Sequence, residues 1–179
     1  FKTMKALVII DVQNDFLING SLEVPGGNDV IEPINNIIDN YELVVATKDW
    51  HPLDHVSFFS NHPGKKIGDV VNVNSIDQIL WPKHCVQESR GSDFPTTLNF
   101  KAINKIIYKG TNTQIDSYSG FHDNGKIGST GLSDYLKAKN VTIIDCVGLV
   151  TEYCVKFTVF DSIKEGFKTR VILKGIKGI

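Results

Sequence analysis

Cys154 stands where the apolar run 141–147 gives way, through Gly148-Leu149-Val150-Thr151-Glu152-Tyr153, to a helical pattern. A thiol at a strand-to-helix junction is a candidate nucleophile, because the positive end of a helix favours its thiolate. Other polar residues follow other apolar runs: Asp11 the first, Asp49 and His51 the second, Lys109 the third. A free thiol has a pKa of about 8.5 and needs a base or a positive neighbour at neutral pH. Asp11 could accept its proton, and Lys109 could hold that carboxylate and stabilise the anion. After attack on a carbonyl, backbone N–H groups at the start of the helix would receive the oxyanion.

A second set lies in Asp49-Trp50-His51-Pro52-Leu53-Asp54-His55 and Trp81-Pro82-Lys83-His84-Cys85. Asp and His two apart, with a further His returned by a loop, give mixed oxygen and nitrogen ligation. That suits Zn2+, Mn2+ or Fe2+ with positions open to water or substrate. A closed structural zinc site would instead take four protein ligands, often thiolates. Cys85 reads equally as a ligand or a core thiol. Cys146, inside an apolar run, reads as core. His62 and His122 read as surface loop residues.

The elements that must position these groups follow from periodicity. The apolar runs 6–10, 43–46, 106–108, 141–147 and 171–173 lack polar alternation, as strands covered on both faces do. Helical spacing predicts helices over 28–40, with Pro33 in the first turn, over 129–139, and over 151–166, ending on Gly166. The last is expected to bury Val155, Val159, Phe160 and Ile163 on one face. Strand–helix alternation predicts a doubly wound parallel α/β sheet of about five strands with helices on both faces. The segment 50–100, rich in His, Pro, Gly, Ser and Asn, reads as a long functional loop.

A chain of 179 residues, 41% hydrophobic and 22% charged, is expected to form one domain over 1–179. Its net charge of −1 offers no field for nucleic acid or an acidic membrane. No apolar run approaches the roughly 20 residues that span a bilayer. The opening residues are expected not to form a secretory leader. Three cysteines suit reduced thiols in a cytoplasmic setting.

The motifs resemble a known family. Asp11-Val12-Gln13-Asn14-Asp15-Phe16, Tyr108-Lys109-Gly110 and Gly148 to Val155 resemble those of the isochorismatase-like cysteine hydrolases. Lys48-Asp49-Trp50-His51-Pro52 and Trp81-Pro82-Lys83-His84-Cys85-Val86, with Asp116 to Phe121, are similar to the nicotinamidases within it. The resemblance implies hydrolysis of nicotinamide through a cysteine thioester, in pyridine nucleotide (NAD) salvage. It implies Cys154 as nucleophile, Asp11 as base, Lys109 as third member, and Val150 and Cys154 N–H groups as oxyanion hole. It implies a cis Leu149–Val150 peptide, and Phe16 and Trp81 flanking the substrate ring. It implies one divalent metal, Zn2+ before Mn2+ or Fe2+, on Asp49, His51 and His84, with His55 as an optional fourth ligand. A homo-oligomer is left open.

Glu152 stands where many members carry Asp, and Gln87 to Gly91 departs from the usual small segment. A further C-terminal helix and edge strand are expected to be lacking. Two alternatives remain: an amidase of the same superfamily acting on a carbamoyl or ureido substrate, and a non-catalytic binding protein on this scaffold.

Overall fold

The computed structural model describes residues 3–179. In chain order the elements are β1 (Met4–Ile10), α1 (Ile31–Ile38), β2 (Leu43–Asp49), β3 (Val70–Val73), β4 (Ile76–Ile79), β5 (Lys105–Lys109), α2 (Leu132–Ala138), β6 (Val141–Leu149), α3 (Lys156–Lys164) and β7 (Lys168–Lys177). Five strands form one sheet in the order β5-β2-β1-β6-β7, and every pairing in it is parallel. Chain order reverses at β1, so the crevice beyond its carboxyl end is where such a sheet binds ligands.

The apolar runs are explained by burial on both faces. Leu7 and Ile9 of β1 pack with Ile34 and Ile38 of α1. Their neighbours Ala6, Val8 and Ile10 turn to the opposite side, against Leu132 and Leu136 of α2. Ile34 is fully buried, a burial worth about 1.5–3 kcal/mol. Pro33 lies in the first turn of α1, where an amide hydrogen has no intrahelical partner to lose. Among the described residues no helix is long and apolar enough to cross a membrane.

Three expectations need correction. The segment 50–100 is not structureless, since Val70–Val73 and Ile76–Ile79 pair as an antiparallel hairpin. Its turn, Asn74-Ser75, has both residues at positive φ, a shape that matches strand twist but lacks the usual Gly signal. The helix expected over 129–139 begins only at Leu132, because Gly131 is left-handed. The third helix buries Val155 and packs Val159 against the core as expected, but the rest of its buried face differs. Thr158, Asp161 and Ser162 point inward, while Phe160 and Ile163 are exposed. The inward polar groups are satisfied: Thr158 Oγ1 accepts the Gly120 N–H, Asp161 pairs with Lys126, and Ser162 bonds Thr169. Gly166, at φ +95°, does end this helix, with the Phe167 N–H returning to the Ser162 carbonyl.

Candidate active site

Parallel register gathers the polar residues. Asp49 and Lys109 are direct partners across β2 and β5. Ile10, just before Asp11, pairs with Thr47 on one side and with Gly148 on the other. Gly148 sits at φ +121°, and a Cβ there would come 2.0 Å from the Ile10 carbonyl oxygen. A glycine is therefore what lets β6 run close beside the residue that precedes Asp11. Beyond it the Leu149–Val150 peptide is cis. Thr151–Val155 then forms one π-helical turn, in which the Val155 N–H reaches the Val150 carbonyl at 3.2 Å.

Lys109 is the hub of the site. Its ammonium is fully buried and lies 2.8 Å from Asp11 Oδ2, 2.5 Å from Asp49 Oδ1 and 3.3 Å from Cys154 Sγ. It also donates to the Ser117 carbonyl at 2.9 Å. Burial alone would lower its pKa, but Asp11, Asp49 and Cys154 outweigh burial and hold it well above the usual lysine value. Thr47 Oγ1 donates to Asp11 Oδ1 at 2.6 Å and fixes that carboxylate. Burial nevertheless raises the Asp11 pKa, against the pull of Lys109.

Cys154 is 5% exposed. Burial pushes its thiol well above the ordinary range; Lys109 opposes that rise, and Asp11 and Asp49 add to it. Burial and two carboxylates oppose the stabilisation that a helix end offers a thiolate.

Asp49 divides its oxygens. Oδ1 receives Lys109, while Oδ2 lies 3.5 Å from His51 Nε2 and 3.6 Å from His84 Nε2. Burial opposes ionisation of Asp49, but Lys109, His51 and His84 hold it well below the usual carboxylate range. Each imidazole is oriented from behind: His51 Nδ1 donates to the Gly110 carbonyl and His84 Nδ1 to the Pro82 carbonyl. Both Nε2 lone pairs therefore face Asp49, and His51 Nε2 is buried with no hydrogen-bond partner. A metal about 2.1 Å from each donor would set tetrahedral edges of roughly 3.4 Å, close to the two observed separations. Backbone carbonyls behind ligating imidazoles are the usual support of such sites. The donor set fits a divalent cation.

His55 is placed differently. It stacks on His51 with ring centres 4.1 Å apart, its Nδ1 meets Ser57 Oγ at 2.7 Å and its Nε2 faces the Ile115 carbonyl at 3.3 Å. Cys85 lies in the core with its N–H bonded to Asp15, which resolves it as a packing residue. Cys146 is also core. His62 bonds the Val56 carbonyl, and His122 pairs with Glu165.

Beside Cys154 a pocket of about 430 Å³, open mouth included, is lined by Phe16, Trp81, Val150, Asp49 and His84. Tyr118, Tyr153 and Asp116 also line it, and sequence reasoning gave none of them a role. Trp81 Nε1 donates to the Tyr118 hydroxyl, and the Trp81 and Tyr153 rings meet edge to face at 5.0 Å. Tyr153, immediately before the nucleophile, was the one with a signal in its position. Gln13 was missed as well: its amide clamps the main chain of Asp49 from both sides, accepting from Asp49 N–H and donating to its carbonyl.

The chain is similar to several known proteins. The chain is 41% identical over 179 residues to a nicotinamidase of Escherichia coli K12, covering 98% of this chain and 84% of that protein. An Acinetobacter baumanii nicotinamidase pyrazinamidase structure superimposes with TM-score 0.96 at 42% identity, covering 99% of this chain and 86% of the other. A Pyrococcus horikoshii pyrazinamidase in complex with zinc gives TM-score 0.79 at 34% identity, covering 98% and 87%. Residues 5–179 match the isochorismatase domain family, and the chain belongs to that family.

Proposed function

We propose that this chain is an amidohydrolase converting nicotinamide and water to nicotinic acid and ammonia. The observation that carries the mechanism is the Lys109 ammonium, in contact at once with Asp11, Asp49 and Cys154. Asp11 takes the Cys154 proton as Sγ attacks the amide carbon, and the carbonyl electron pair moves to oxygen. The main-chain N–H groups of Val150 and Cys154 receive that oxyanion. Asp11 returns its proton to the amide nitrogen, the C–N bond breaks, ammonia leaves and a thioester remains. Asp11 then draws a proton from water as its oxygen bonds the acyl carbon; the C–S bond breaks and Cys154 is re-protonated. Lys109 keeps the two acidic groups charge-compensated throughout.

Phe16 and Trp81 would hold the flat ring between them. Asp49, His51 and His84 would hold one divalent metal, zinc by the donor set and by the zinc-bound relative. Such a cation would supply a Lewis-acid centre for a ring nitrogen or a bound water. The unpartnered His51 nitrogen and the aromatic pocket favour this reading over a carbamoyl or ureido amidase, which needs neither. Ammonia release from nicotinamide is the test. Chelation is expected to abolish it and zinc to restore it. No release from folded, zinc-loaded protein would overturn the substrate.

A further inference from the structure

Cys85 is buried beside His84, and its backbone is left-handed, with φ +48°. That region is uncommon for a residue other than glycine and persists only where the surroundings hold it. Both main-chain groups of Cys85 are held. Its carbonyl accepts the His51 N–H at 2.9 Å, and its own N–H donates to Asp15 Oδ2 at 2.7 Å. The turn thus fixes the main chain on which two members of the Asp49, His51 and His84 set stand, while His84 Nδ1 stays on the Pro82 carbonyl.

Asp15 belongs to the short 3-10 turn Asn14–Phe16, in the segment that follows Asp11. Its neighbour Phe16 meets the His84 ring with centres 5.7 Å apart. The carboxylate is hemmed in from another side, since a Cβ on Gly91 would come 2.1 Å from Asp15 Oδ2. A glycine at that position is what gives the carboxylate its room. One side chain therefore ties the wall of the ring pocket to the segment that carries His84.

We infer that Asp15 is a positioning residue: by holding the left-handed turn at Cys85, it aims His84 at Asp49 and seats it against Phe16. Its zinc readout rests on the proposed metal site, whereas its readout at the His84 ring does not. The experiment compares wild type, Asp15→Ala, Asp15→Asn, Cys85→Gly and the Asp15→Ala/Cys85→Gly pair. Zinc affinity is measured by equilibrium dialysis, and the 15N resonances of the His84 ring are recorded in zinc-free protein. Asp15→Ala is expected to weaken zinc binding about 10- to 100-fold and to move the His84 resonances, with circular dichroism unchanged. Asp15→Asn keeps an acceptor oxygen and should retain most of the affinity. Glycine adopts positive φ without strain, so Cys85→Gly should recover most of what Asp15→Ala loses, with Cys85→Gly alone as the reference for the missing thiol. Unchanged zinc affinity and ring resonances in Asp15→Ala would overturn the inference. So would a loss that Cys85→Gly leaves undiminished, which would make Asp15 a support of the fold alone. If wild type takes up no zinc, the metal reading falls and the ring resonances decide the role of Asp15. If Asp15→Ala fails to fold, Gly91→Ala, which drives a carbon into the carboxylate, is expected to move the His84 resonances in the same way. An unmoved ring in that variant would overturn the inference.

Discussion

Cys154 and Asp11 are both buried beside Lys109, and burial raises the pKa of each. Cys154→Ala removes the proposed nucleophile. Loss of at least about 1,000-fold in kcat is expected, with circular dichroism and melting temperature close to wild type. Asp11→Asn keeps shape and hydrogen bonding to Thr47 but cannot take a proton. A loss of about 100- to 10,000-fold in kcat/KM should follow. Asp11 must also be ionised to act, and burial raises its pKa above 3.8. Activity should therefore fall as the pH drops through that raised value, giving an acid limb above the ordinary carboxylate range. An acid limb at or below the free aspartate value would contradict the burial of Asp11.

At the scale of elements, the site depends on how closely β6 runs beside β1. Gly148→Ala would bring a methyl carbon into the Ile10 carbonyl at a φ of +121°. Backbone strain and overpacking together should cost about 3 kcal/mol, read from the denaturation midpoint. Asp145 of β6 tests electrostatics away from the site. It is buried, accepts Arg170 Nε at 2.6 Å and Arg170 Nη2 at 2.9 Å, and receives the Tyr41 hydroxyl. Burial opposes its ionisation, but Arg170 and Tyr41 outweigh burial and lower its pKa. A depressed carboxylate stabilises the fold above its unfolded value, and that contribution is lost as pH falls through the folded one. Asp145→Asn should thus cost about 1–3 kcal/mol at neutral pH, with the gap to wild type closing in acid. A gap independent of pH would show that the charge is not what matters.

For the whole molecule, metal binding and fold are expected to be linked, because a cation on Asp49, His51 and His84 would tie β2 to the 81–86 segment. Chelation should lower the melting temperature as well as activity, and His84→Ala should lower zinc content about 10- to 100-fold in affinity terms, measured by equilibrium dialysis. The strand pattern, the strand-end positions of Asp11, Asp49 and Lys109, and the junction at Cys154 were all legible locally. Continuous β-branched runs and a thiol after Gly148 are properties of neighbouring residues. The phase of the third helix was not legible, because Thr158, Asp161 and Ser162 are inward only where Gly120, Lys126 and Thr169 satisfy them. The Asn74-Ser75 hairpin carried no glycine to announce it. Cys85 could be separated from His84 only once the main chain turned one toward the core and the other toward Asp49. Sequence alone determined the family, the parallel α/β class and which residue types could do chemistry, since these rest on local pattern and on motifs. Tertiary structure alone decided that Lys109 is a buried hub, that Cys154 is buried beside it and that His51 presents a bare nitrogen. Those are properties of burial and charge, and both are set by residues distant in the chain.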